Sequence, residues 1–337
     1  MKRKISANSL IAIILLLTIN SCDPVKPPPP VPSANSIVTT LAGSGVEGSA
    51  DGNATSAQFN KPGAITADLQ GNVYVAQPLN FSIRKITSTG VVSTLAGGSE
   101  GYADGLASAA QFKLPSGLVT DAQGNIYVAD NTRIRKITAA GNVTTLAGAQ
   151  TSDYADGDGT TARFKWLTGI AMDAQGNIYA LDIDVNVAVC HIRKITPAGV
   201  VSTFASGVPS VAIAMDGAGN IYTGGLQHEI NKYTSAGTLS KLKDLGFPAD
   251  LQGITLDAQG NIYFTQSCPV ACSFNIVYKL TPAGVTSFYA GNGVKGFSDG
   301  DASSAKFDSP GSLAIDAHGN IYVSDFSNNR IRKITKP

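Results

Sequence analysis

Eight residues, Asp121-Ala122-Gln123-Gly124-Asn125-Ile126-Tyr127-Val128, return with small changes at Asp68, Asp173, Asp216, Asp257 and Asp316. A chain made of six copies of one unit folds as an array of like parts, because each unit alone exposes a face that only its neighbour can bury. The Gly-Asn pair takes positive φ readily and the Ile/Val-Tyr run favours extended backbone. Each copy therefore predicts a tight turn that launches a strand.

Around the octet, four extended segments recur, clearest in the second unit as 117–121, 125–130, 134–138 and 142–148. They are termed strands a, b, c and d. Only three of the 24 acids are glutamates, whereas Gly numbers 36, a balance suited to strands and turns. A four-stranded antiparallel sheet cannot bury both its faces alone, but sheets stacked radially can, and the predicted class is an all-β, six-bladed β-propeller of four-stranded antiparallel blades. Full d segments follow only five of the a-b-c sets, and the chain stops at IRKITKP just after the sixth strand c. The missing strand is found at the other end: residues 37–43, IVTTLAG, resemble VVSTLAG and NVTTLAG. The N-terminal strand is thus expected to pair with the last blade and close the ring.

The asparagines of the Gly-Asn turns are spaced by 53, 52, 43, 41 and 59 residues, so some units carry extra chain between strand d and the next strand a. These inserts contain Asp-Gly pairs at Asp51, Asp104, Asp156 and Asp299 and end in an AxxAxF motif at Phe59, Phe112, Phe164 and Phe307. They precede units one, two, three and six, and units four and five have none. Strand alternation puts the d-to-a and b-to-c loops on one face, termed upper, and the tight turns on the lower face. Binding residues concentrate on loops, so the upper face is the expected functional one.

The IYVAD-type b strands, the RIRKI-type c strands at 133–137 and 330–334, and the FxxPxG approach to strand a resemble the NHL repeat family of β-propellers. The resemblance spans residues 37–337 and weakens in units four and five, where strand c reads EINKY and VYKL. It implies the propeller fold. Family members range from RNA binders and protein scaffolds to lyases, so it does not fix an activity.

Lys2, Arg3 and Lys4 precede an apolar run from Leu10 to Leu17, the layout of a secretory signal. Ile19-Asn20-Ser21-Cys22 resembles the lipobox of bacterial lipoproteins, which implies cleavage before Cys22 and its lipidation. The expected organisation is a signal peptide at 1–21, a lipidated Cys22 and Pro-rich tether at 22–36, and the propeller at 37–337. The run DPVKPPPPVPSA favours an extended polyproline conformation, about a dozen residues holding the body roughly 35 Å from the lipid. An exported, membrane-anchored protein follows, periplasmic or at the cell surface. With a net charge of +1, no field draws it to nucleic acid.

Candidate chemistry is sparse. Two GxGxxG runs, at Gly43 and Gly291, lack the helix and βαβ setting that dinucleotide binding needs, and no cofactor is expected. The acidic loop at Asp153–Gly159 lacks the spaced acids of an EF-hand, and the recurring Asp-Gly pairs read as turns whose Asp caps local amides. His191, His228 and His318 fall on different units, so no metal set or catalytic set is assigned. Arg84-Lys85, Arg135-Lys136, Arg193-Lys194 and Arg332-Lys333 read as solvated blade flanks. Cys268 and Cys272 are a candidate disulfide within one loop, which leaves Cys190 as a buried free thiol. The candidate ligand face comprises Tyr102, Asp104, Tyr154, Asp156, Trp166, Phe297 and Asp299, Trp166 being the only tryptophan. The expected role is a monomeric binding scaffold for protein or glycan; the alternative is a propeller hydrolase or lyase with a convergent polar cluster at the channel mouth.

Overall fold

The computed structural model describes residues 36–184, 189–207, 210–225, 228–245, 250–267 and 274–336. The expected leader, Cys22, the tether and the Cys268–Cys272 pair lie outside them.

Among the described residues the strands form six antiparallel sheets in the order a-b-c-d. Blade two, for example, runs Pro115–Thr120, Ile126–Asp130, Arg133–Ile137 and Asn142–Gly148. Each strand a touches strand a of both neighbouring blades, blade six against blade one included, so the ring is closed. Closure is made as the sequence implies. Ile37–Ala42 is strand d of blade six, with Val38 opposite Ile334 and Thr40 opposite Arg332 on strand c.

The octet's Asp is the hub of every a-to-b turn. In blade one, Asp68 Oδ1 accepts the amides of Gln70 and Asn72, and Oδ2 accepts the Asn72 amide group and the Tyr74 hydroxyl. The same Asp-Asn-Tyr set recurs at Asp121, Asp173, Asp216, Asp257 and Asp316. Gly71 in that turn has φ +78°, a conformation that L side chains resist. Burial, with Asp121 beside it, pushes the Tyr127 hydroxyl up to about 12, so it stays a donor. The Asp-x-x-Gly-Asn-x-Tyr spacing is thus a stereochemical requirement of the turn.

The core lies between blades. Phe112 and Ala110 from the second insert pack with Tyr74, Ala76 and Ile83 of blade one and Leu118 and Val128 of blade two. Equivalent clusters fill the other five gaps. The AxxAxF phenylalanines are fully buried in these seams, as their repetition suggests.

The inserts run along the outer edges of the blades. Each crosses from the upper rim to the outer edge of the blade that follows: Gly105–Leu106 pairs with Val143 and Asn142, and Gly300–Asp301 with Val38 and Ile37. Gly52 and Gly157 make the same bridge to Val92 and Val201. The amide of Ala107 reaches the carbonyl of Gly141 in a lower turn. The inserts are drawn down because a bare outer strand would leave outward amides and an apolar Val uncovered.

Candidate functional site

The arginines of the Arg-Lys pairs hold the inserts in place, and they are not solvated. Arg84, Arg135, Arg193 and Arg332 are all 0% exposed. Arg135 donates to Asp130 at 3.0 Å, to Asp104 at 2.7 Å and to the carbonyls of Ala103 and Gln111. Arg193 repeats this with Asp182 and Asp156, and Arg332 with Asp325 and Asp299. Arg84 has Asp51 and, in place of the inner carboxylate, the Gln77 side chain. A buried guanidinium is costly unless its donors are met; the four acceptors meet the two terminal nitrogens, and each Nε–H is left without a hydrogen-bond partner. Each guanidinium also lies 5.1–5.3 Å from the plug phenylalanine of its insert. The lysines behave differently, each lying over the octet Tyr of its blade, as Lys136 does over Tyr127 at 5.5 Å.

This arrangement accounts for the Asp-Gly motif, and the expected local capping is only part of its work. Asp104 also accepts the Thr145 amide and hydroxyl. Burial alone would raise its carboxyl; Thr145 and Arg135 outweigh that and hold it below the usual carboxylate range. Asp156 is lowered in the same way by Thr203 and Arg193. Burial raises the inner Asp130 carboxyl, opposed by the Leu114 and Lys113 amides and by Arg135. Both its oxygens act as acceptors, as the ionised form requires.

The candidate face residues are therefore engaged with the scaffold. Asp104, Asp156 and Asp299 are the outer carboxylates of three clamps. Tyr102 carries Arg133 over its ring at 4.6 Å and accepts from Asn131, and Phe297, 43% exposed, carries Arg330 at 3.9 Å. Tyr154 lies 4.2 Å from the His191 ring in a tilted pair and carries Arg193 over its own ring at 4.3 Å. Trp166 is 9% exposed, it lies just before strand a of blade three, and its indole N–H has no hydrogen-bond partner. Cys190 is buried and free, its thiol pushed up to about 12 by burial.

The channel itself was not legible beforehand. Three residues before each octet Asp stands an aliphatic: Ile65, Leu118, Ile170, Ile213, Ile254 and Leu313. These six line both an upper vestibule of about 260 Å³ and a lower one of about 240 Å³, and so form a collar between them. One position earlier the residue is small, which permits close strand approach; a Cβ on Gly253 would lie 2.5 Å from the Gly311 carbonyl. The upper vestibule is lined by Ser116, Thr168, Gln252, Ser312 and Ser324 beside main-chain groups, aliphatic side chains and Phe326, and among the described residues no ionisable side chain lines it. Ser116 donates to the Leu167 carbonyl, whereas the Thr168 hydroxyl, 8% exposed, has no partner. Such a site can hydrogen-bond an uncharged polar group but offers it no acid or base.

A closed ring of six four-stranded blades around a neutral channel defines the molecule as a six-bladed β-propeller. Residues 307–334, which hold strands a, b and c of blade six, match the NHL repeat. Mouse teneurin-3 is 26% identical over 254 residues, covering 69% of this chain but 8% of its own length. The chain thus spans under a tenth of that relative. An auxiliary nutrient binding protein from Bacteroides ovatus superposes with a TM-score of 0.67 at 18% identity, over 89% of this chain and 76% of its own. A gluconolactonase from Xanthomonas campestris gives 0.63 at 11% identity, over 94% and 96%. At such identities the likeness is one of fold.

Proposed function

We propose that the protein is a cell-envelope lipoprotein whose propeller is a binding scaffold, its upper channel mouth receiving an uncharged polar group of a glycan or protein. The observation that carries this reading is the lining of that vestibule, where among the described residues hydroxyls, a carboxamide and main-chain groups converge without an acid or a base. Proton transfer in hydrolysis or elimination needs a titratable group in reach of the substrate, which argues for holding a ligand over transforming it. The vestibule of about 260 Å³ is smaller than the roughly 300–1,000 Å³ of sites enclosing a drug-sized ligand. It suits one sugar ring or one side chain. The auxiliary nutrient binding proteins of the same fold support a small nutrient or glycan as that ligand.

The anchor fits the same picture. Ser36 precedes the lower end of the strand that closes blade six, so a lipid tether attached there leaves the upper mouth facing away from the membrane.

The reading is tested with the full chain and an array of neutral oligosaccharides. Thr168→Val and Gln252→Ala should each weaken retention, and His318→Ala, in a lower turn, should leave it unchanged. Turnover of a retained sugar, or retention indifferent to both mouth variants, would remove the proposal.

A further inference from the structure

Four blades have their outer edge covered by an insert, and blade four does not. Its strand d, Leu239–Asp244, is the last strand of its sheet, with no neighbour on the outer side among the described residues. What this leaves open is visible by comparison. In the covered blades the insert's Gly exchanges main-chain hydrogen bonds with an apolar residue of strand d, as Gly157 does with Val201 at 3.0 and 2.7 Å. That residue is 0% exposed at Val38 and Val143, 1% at Val92 and 2% at Val201, but its counterpart Leu239 is 42% exposed. Two residues further, the insert's Asp accepts the amide and hydroxyl of a Thr at Thr40, Thr94, Thr145 and Thr203. In blade four that position is Lys241. Leu242 beside it is also exposed. Blade five has avoided the apolar part of the problem, with polar Thr286 at the Leu239 position.

We propose that the outer edge of blade four is a strand-acceptor site for an extended Asp-Gly segment of a partner protein, docking as the inserts dock on their own blades. The main-chain exchange supplies the pairing, and the partner's carboxylate takes the outward amide of Lys241 together with its ammonium group. Lys241 faces Glu229 at 3.4 Å and Asp244 at 3.6 Å, and Lys243 donates to the Gly284 carbonyl. Two lysines and two carboxylates balance there, so the site's preference for Asp comes from the amide geometry. The Gly is required, because the inserts hold it at φ +127° to +149°. The chain's own Pro-rich stretch at 24–32 does not suit the edge, since proline cannot donate to a ladder.

The test uses the full chain and a labelled synthetic peptide copying residues 102–112, YADGLASAAQF, measured by fluorescence anisotropy. Saturable binding is expected, weakened about fivefold when the peptide's Asp becomes Asn, the effect of about one hydrogen bond. Lys241→Pro should abolish it, because it removes an outward amide and leaves the inward ladder whole. Lys241→Glu should weaken it and make no demand on the backbone, a check should the proline variant melt early. No binding, or equal binding by both variants, would overturn the proposal. A dimer that dissociates on Lys241→Pro without any peptide binding would give the edge to a second copy and overturn it equally.

Discussion

Arg193 donates to Asp156 at 2.7 Å from a guanidinium without solvent exposure, joining strand c of blade three to an insert 37 residues earlier in the chain. With Asp182 on the other side, the guanidinium sits between a buried and a half-exposed carboxylate. The two partners therefore differ in what their loss costs. Arg193→Met strands a buried Asp182 and should destabilise the fold by roughly 3–5 kcal/mol. Asp156→Asn keeps the shape and loses one charge at the solvent edge, and should cost about 1–2 kcal/mol. Chemical denaturation of both variants checks the order; equal losses would mean that the inner pair contributes nothing of its own.

Acid should release the inserts before it unfolds the blades. The Asp104 and Asp156 carboxyls lie below their ordinary value in the fold, so their contribution is complete above about pH 4, the unfolded value. It is lost as pH falls through the lower folded values. Proteolysis of the inserts by an acid-active protease should rise in that window, and Asp104→Asn should make cleavage of its own insert high and independent of pH. A pH profile that Asp104→Asn leaves unaltered would disconnect insert release from this carboxyl.

The repeat, the strand order and the ring closure were legible because each is a local rule used six times. Period-2 alternation gives the strand, Gly-Asn the turn, and IVTTLAG the missing edge. The clamps were not read correctly, since an Arg-Lys pair on a strand has the same spacing whether it faces water or a carboxylate. A signal was nevertheless present. The arginine occurs in the units preceded by an Asp-Gly insert, and in the two units without one the position is Asn231 or Tyr278. Trp166 stands out in the sequence by its uniqueness, which does not by itself tell packing from ligand contact; it is buried. The channel collar was missed for a different reason: Ile or Leu before a turn is ordinary strand core, and only the closed ring turns six of them toward one axis.

Anchoring is tested at Cys22. Cys22→Ala should abolish labelling by radioactive fatty acid and move the protein from the membrane pellet to the soluble fraction. A single acyl chain holds only marginally, so the shift should be near complete if the diacyl anchor is the sole attachment. Wild-type protein that takes up no label would refute lipidation outright.

Deleting residues 37–42 tests the closure. Thr40 opposes Arg332 in the ladder and its amide and hydroxyl reach Asp299, so the strand supports both the sheet edge and the clamp of blade six. It also places Val38 and Ala42 in the seams on either side of that blade. Without it, strand c of blade six becomes a bare edge holding a buried Arg332, and edge-to-edge association should follow. The deletion should unfold at lower denaturant with a shallower slope and sediment as aggregates. Supplying the missing strand as a peptide, SIVTTLAG, should restore part of the lost midpoint, since a gap of the right shape remains. A deletion variant that unfolds with the wild-type midpoint and slope would show that the five intact blades and the remaining three strands hold the ring without this closure.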